Sequence, residues 1–252
     1  MFGRKPTSVP PISAPAAPAD PFAVSRNNMI EHQLRRRGVV MHAVLEAMRT
    51  VPRHLFVPHE QSARAYDDEA LPVAAGQTIS QPFMVGIMTQ ELQLRPGMRV
   101  LEIGTGTGYQ AAILSHLVGP TGHIYSIERI PELADSARRR LEALGISNAE
   151  VLCADGTMGW PLYAASPPPV FDRIIITAGA PAVPEPSLGQ LADGGILIAP
   201  IGPADSQMLN RFGRTGGQLT RQELFICRFV PLVGAHGWPD PPPGFPVSAE
   251  SA

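Results

Sequence analysis

The chain has 252 residues, 44% apolar and 17% charged, with a formal net charge of −2, which suits one globular domain and offers no basic surplus for a nucleic-acid backbone. No apolar run approaches the ~18–20 residues of a membrane span. Its two cysteines, Cys153 and Cys227, lie far apart in strand-like runs and read as buried thiols, with no disulfide framework and no zinc spacing to suggest a metal.

Residues 1–25 are dominated by Pro and Ala, bury too little to offset their ordering entropy, and read as a disordered tail. Arg4 and Lys5 are followed by prolines, so no secretory signal is expected. Helical periodicity predicts helices over 27–37 and 42–50, the second with Val44, Leu45 and Met48 on one face. Residues 58–77 are polar and turn-rich, an irregular lead-in. Ser80 is expected to cap a helix over 83–92, with Pro82 tolerated in its first turn. An alternation follows: strand 99–103, helix 109–118, strand 123–128, helix 131–144, strand 150–153. In the second of these helices Leu133, Ala137, Leu141 and Leu144 form an apolar stripe, and Arg138-Arg139-Arg140 lies across from it as a solvated face. Strand 172–177, a short helix over 187–192 and strand 196–201 come next. Two segments, 207–212 and 223–229, flank Thr215-Gly-Gly217 and predict a terminal antiparallel hairpin. Residues 239–252 read as a second tail. The order gives an α/β fold, a doubly wound and mostly parallel sheet with an N-terminal helical extension and an antiparallel C-terminal hairpin.

Val100-Leu-Glu-Ile-Gly-Thr-Gly-Thr-Gly-Tyr109 reads as a strand, a glycine turn and a helix start. Glycines at 104, 106 and 108 let the chain turn sharply and let a ligand approach the backbone. The pattern is G-x-G-x-G, with Tyr109 near where a dinucleotide turn places its last glycine. Glu128 closes the next strand about 20 residues on, the usual place for an acid that grips ribose hydroxyls. Val151-Leu-Cys-Ala-Asp155-Gly156 is a further strand ending in an acid and a glycine. Acids closing successive strands suit an adenosine without a phosphate.

Two adjacent motifs carry a resemblance. Gly76-Gln-Thr-Ile-Ser-Gln-Pro82 and the glycine segment through Ala112 are similar to the protein-L-isoaspartate(D-aspartate) O-methyltransferase family. So are Val51-Pro-Arg-His-Leu-Phe-Val-Pro58, Ala65-Tyr-Asp-Asp68 and Arg228-Phe-Val-Pro-Leu232, so that the likeness covers about residues 27–238. The resemblance implies a Rossmann-like methyltransferase domain over 26–238. It implies a cytoplasmic, monomeric repair enzyme acting on damaged proteins, with no nucleic-acid, membrane or metal partner. The methyl of S-adenosyl-L-methionine would pass to the free carboxylate of an L-isoaspartyl or D-aspartyl residue, and the ester would collapse to a succinimide. It implies Ser80 as the active-site residue. The cofactor set is Thr78, Ile79, Glu102, Gly104, Thr105, Gly106, Gly108, Glu128, Asp155 and Gly156, with the glycines at the methionine end, Glu128 at the ribose and Asp155-Gly156 on the adenine side. Phe83 and Gly179 depart from the family pattern at the substrate rim.

A carboxylate acceptor is already ionised at neutral pH, so the reaction needs orientation and not a general base. The glycine turn and the two acids suit a methyltransferase for small molecules or RNA equally well, and a non-catalytic binder could keep the same fold. The segment Thr78-Ile-Ser-Gln-Pro82 separates the repair reading from both.

Overall fold

Alternation along single strands gives this molecule two apolar cores. In β3 (Arg99–Ile103), Val100 joins one core while Leu101 and Ile103 join the other; in β6 (Phe171–Ile176), Ile175 faces the first and Ile174 and Ile176 the second. Successive side chains of a strand point to opposite faces, so a strand covered on both sides is apolar throughout. The computed structural model describes residues 20–161 and 170–240. The expected tails at 1–25 and 239–252 lie outside these residues except at their inner ends. There, the Asp20 carboxylate accepts the Phe22 N–H at 2.9 Å and the Phe22 ring stacks on His54 at 4.1 Å.

The N-terminal extension opens with α1 (Ala23–Asn28), which widens into a π-helical segment, Met29–Leu34, and tightens into a 3₁₀ turn, Arg35–Arg37. Met29, Ile30 and Leu34 are fully buried. The helix expected over 27–37 is thus the latter part of a longer, irregular one. After α2 (His42–Thr50), the lead-in contains a small ladder: β1 (Leu71–Pro72) pairs antiparallel with β2 (Thr78–Ile79). Then comes α3 (Pro82–Leu92).

Beyond β3 follow α4 (Tyr109–Val118), β4 (His123–Glu128), α5 (Pro131–Ala143), β5 (Ala149–Cys153), β6, α6 (Glu185–Gly189), β7 (Leu191–Ile201), β8 (Gln207–Thr215) and β9 (Gln218–Cys227). They form a seven-stranded sheet in the order β5-β4-β3-β6-β7-β8-β9, parallel except for β8, which runs against both its neighbours. The chain winds outward from β3 one way to β5 and then returns to β6 on the other side. This places the reversal of strand order, where open α/β sheets bind ligands, at the carboxyl ends of β3 and β6.

Four local expectations are corrected. β7 begins at Leu191 and not at 196, because Asp193-Gly194-Gly195 is absorbed as a bulge between the pairs Phe171↔Leu191 and Arg173↔Ile196. Cys153 is exposed and Cys227 only half-buried: β5 is the sheet's edge strand, and Cys153 stands at its end. The 138–140 arginines are not simply solvated. Arg138 donates to the Val151 carbonyl and Arg140 to that of Thr107, so only Arg139 lacks a main-chain partner. Ser80 does not cap α3; Gln81 holds that position with no side-chain cap bond, since Pro82 occupies the first helical position.

Candidate active site

The turn after β3 is built from three glycines in the left-handed region, and at Gly104 the space also excludes a side chain. Gly104, Gly106 and Gly108 all have positive φ, at 99°, 53° and 86°. A Cβ on Gly104 would stand 2.4 Å from the Thr177 hydroxyl. That hydroxyl donates to the Gly104 carbonyl at 2.6 Å, tying the end of β6 to the turn, while the Gly104 N–H bonds the Ile127 carbonyl at 2.8 Å.

Glu128 ends β4 beside this turn, almost fully buried. One carboxylate oxygen accepts the Gly106 N–H at 2.8 Å and the other the Ile130 N–H at 3.0 Å. A carboxylate has about four lone-pair sites, so acceptor capacity remains for a ligand's hydroxyls. Apolar walls formed by Ile103, Ile127, Ile130 and Leu133 flank it, and Phe229 to Val233 arrive from the far end of the chain. Thr78, Ile79, Ser80, Gly104, Thr105, Gly106, Glu128 and Gly156 therefore share one cleft.

Three expected cofactor residues adjoin the cleft without lining it. Gly108 is the N-cap of α4 and packs toward Ala137. Asp155 accepts hydrogen bonds from the Thr157 N–H and hydroxyl and, through its other oxygen, from the Ala235 N–H. Burial alone would raise its pKa, but these bonds outweigh it and hold the carboxyl below its usual range. Its visible task is to fasten the 233–238 segment. Glu102 lies behind the cleft wall, fully buried, with one oxygen 2.5 Å from the Ser126 hydroxyl, which is itself 2.6 Å from the Thr105 hydroxyl. Burial, reinforced by Glu128 nearby, pushes the Glu102 carboxyl up to about 8 against the contrary pull of Ser126.

Ser80 sits on a strap held from three sides: β2 pairs with β1, the Arg53 guanidinium donates to the Ser80 carbonyl at 2.8 Å, and the Gln81 amide donates to the Asp68 carbonyl at 2.9 Å. On its other side lies a second groove, lined by Asp68, Phe83, Phe225, Ile226 and Arg228 among others. Thr78, Ser80, Thr177, Phe229 and Val230 line both cavities and so form the wall where they meet. At the outer rim Arg37 stacks 3.7 Å over the Phe83 ring centroid and pairs with Asp68 at 2.6 Å. Thr177 and the 229–233 wall were not foreseen. Thr177 had a usable signal, since it directly follows a buried strand at the sheet's carboxyl edge.

A doubly wound sheet with this glycine turn, an acid closing the next strand and antiparallel strands at one edge is the architecture of class I S-adenosylmethionine-dependent methyltransferases. The family model for protein-L-isoaspartate(D-aspartate) O-methyltransferase matches residues 24–237. The chain belongs to that family. It is 49% identical over 218 residues to a Syntrophotalea carbinolica protein-L-isoaspartate O-methyltransferase, covering 86% of this chain and 97% of the relative. It is 52% identical over 215 residues to protein-L-isoaspartate O-methyltransferase 2 of Pelobacter propionicus, covering 84% and 92%. A solved protein-L-isoaspartate O-methyltransferase superposes with a TM-score of 0.74 at 32% identity, over 84% of this chain and 67% of that one. A Plasmodium falciparum structure, described as a β-aspartate methyltransferase in complex with S-adenosyl-L-homocysteine, superposes at 0.72 with 25% identity, over 82% and 98%.

Proposed function

We propose that this chain performs the reaction of its family, methylating the free carboxylate of L-isoaspartyl and D-aspartyl residues in damaged proteins with S-adenosyl-L-methionine. The observation that carries the reading is the shared wall: one cavity with nucleoside-binding chemistry meets a second, open groove at Thr78 and Ser80. The residues fit the cofactor. Glycines with positive φ free the turn's backbone for a close approach, Glu128 keeps acceptor capacity for a ribose, and the isoleucines suit a purine face.

The bound cofactor supplies an electrophilic methyl group. The protein's part is alignment and the exclusion of water. Glu128 and the glycine turn hold the donor in the inner cleft, Ser80 donates a hydrogen bond that orients the acceptor carboxylate, and Phe229 and Val230 cover the meeting point. Holding reactants in line can supply up to roughly 7–11 kcal/mol in ideal cases, and no proton has to be removed from an ionised acceptor. We further read the chain as a cytoplasmic monomer that needs no metal, nucleic acid or membrane. The net charge of −2 argues against a nucleic-acid backbone as partner, and the two free cysteines fit a reducing compartment. Among the described residues no helix is long and apolar enough to cross a membrane.

Methyl-labelled S-adenosylmethionine, offered with a peptide containing isoaspartate and its aspartate twin, tests the function. Base-labile label is expected on the isoaspartyl peptide alone; label on both or on neither refutes the reading. A second measurement concerns the ribose site. Glu128→Gln turns one acceptor oxygen into a donor and should weaken S-adenosylhomocysteine binding about tenfold, the size of one charged hydrogen bond at the low end of its range. Calorimetry showing equal affinity would remove Glu128 from that role.

A further inference from the structure

Arg53 presents an unusual combination for a charged residue. Its side chain is fully buried in a 3₁₀ turn, Arg53–Phe56, yet it forms no ion pair among the described residues. Nε donates to the Ala65 carbonyl at 2.7 Å and Nη2 to the Ser80 carbonyl at 2.8 Å. The guanidinium lies 5.0 Å over the ring of Tyr109, whose hydroxyl is likewise buried, and both Nη1 and the Tyr109 hydroxyl oxygen lack hydrogen-bond partners. Burying a cation without a counter-charge is among the costliest arrangements a protein can hold. An apolar side chain of similar length would fill the space without that penalty. Two carbonyl hydrogen bonds explain a donor there; they do not explain a full charge.

We propose that Arg53 is a positioning residue for methyl transfer: it anchors the Ser80 main chain and supplies the positive charge that draws the acceptor carboxylate to the wall between the two cavities. Ser80 links the two tasks, because its carbonyl takes the Arg53 donor while the same residue lines both cavities. Covalent and hydrogen-bond lengths place a carboxylate on the Ser80 hydroxyl roughly 6–8 Å from the guanidinium. At the effective dielectric of a partly buried site, a unit charge at that range changes affinity by about tenfold or more. Tyr109 completes the arrangement, since the cation lies over its ring while the residue lines the cofactor cleft. The inference rests on the proposed function, and it concerns the acceptor and not the donor.

The test compares Arg53→Met and Arg53→Lys with the wild-type chain. Two peptides without other acidic groups are used, one with an isoaspartyl carboxylate and one with that carboxylate converted to the amide. Calorimetry in saturating S-adenosylhomocysteine gives the ratio of their affinities. The wild-type chain should favour the carboxylate about tenfold or more, Arg53→Met should bring the ratio near one, and Arg53→Lys should keep most of it. Arg53→Lys should also lower kcat severalfold, because a compact ammonium cannot hold the Ala65 and Ser80 carbonyls in one planar fork. A purely structural arginine would lower melting temperature in both variants and leave the ratio alone, and that result overturns the proposal. If Arg53→Met does not fold, the lysine variant decides: wild-type kcat refutes the anchoring, and a collapsed ratio refutes the role of charge. An unchanged ratio with a tenfold loss of S-adenosylhomocysteine affinity would assign the cation to the donor's carboxylate and also overturn it. A wild-type chain that methylates neither peptide defeats the proposed function, and this inference with it.

Discussion

Replacing Ser80 with alanine should lower kcat on an isoaspartyl peptide by about ten- to a hundredfold while leaving S-adenosylhomocysteine affinity within about threefold. The expectation follows from what the hydroxyl is free to do. It is not spent as a helix cap, because Gln81 holds that position. The strap that carries it is fixed independently through the Ser80 carbonyl, the β1–β2 pairing and Gln81, so removing the Oγ hydroxyl should not move the backbone. What disappears is one hydrogen bond to a charged group, and such bonds contribute roughly 1.5–3 kcal/mol, which sets the range. The donor side keeps Glu128, the glycine turn and the isoleucine walls, hence the nearly constant inhibitor affinity. Activity survives because an ionised carboxylate still meets an electrophilic methyl group in an organised cleft. Steady-state kinetics with paired calorimetry checks both halves. Full activity would take Ser80 out of the reaction, and a matching loss of cofactor affinity would make it part of the donor site.

The core of the doubly wound unit was legible because its signals are local. Strand 99–103, helix 109–118 and strand 123–128 stand where hydrophobic period and glycine punctuation put them. The positive φ of Gly104, Gly106 and Gly108 is the physical content of that G-x-G-x-G pattern. Where the reading failed, a partner distant in sequence decides the outcome. Asp155 has a partner that its local sequence does not show, the Ala235 N–H, which returns 80 residues later. The arginines of α5 looked solvated because their acceptors, Val151 and Thr107, belong to neighbouring elements. Gly194-Gly195 read as the gap before a strand, whereas β6 pairs across it and makes it a bulge. The misplaced cap is different in kind. Pro82 is favoured at the first helical position, so Gln81 and not Ser80 was the better choice on local chemistry alone. The outer groove could not be read at all, since its walls join residues near 37, 68, 83 and 225 that only folding brings together.

Glu102→Gln should stabilise the protein most at alkaline pH and flatten its pH dependence. Glu102 is fully buried behind the glycine turn, with one oxygen lacking a partner and its carboxyl pushed up to about 8 by burial, with Glu128 adding to the shift. In the unfolded chain the same group titrates near 4.5. Folding therefore favours the protonated form. The associated stability is fully present below the unfolded value and is lost progressively as pH rises from about 4.5 to about 8. At 1.36 kcal/mol per pH unit, the deficit at pH 7 is on the order of 3 kcal/mol relative to acid conditions. An amide of the same shape has no proton to lose, and its oxygen can still accept the Ser126 hydroxyl. Denaturant titrations should find the two proteins close at pH 5 and the variant more stable by a few kcal/mol at pH 8, about 6–12 °C in Tm for a domain of this size. Parallel pH profiles would show that the carboxyl is not held neutral. The variant also separates two roles for Glu102. The chain from Glu102 through Ser126 to Thr105 ends at a hydroxyl beside the cleft, so the acid acts on the turn from behind and an amide should preserve that chain. Cofactor affinity should then stay within about threefold of wild type; a drop of tenfold or more would mean that the carboxylate itself reaches the ligand when the cleft is filled.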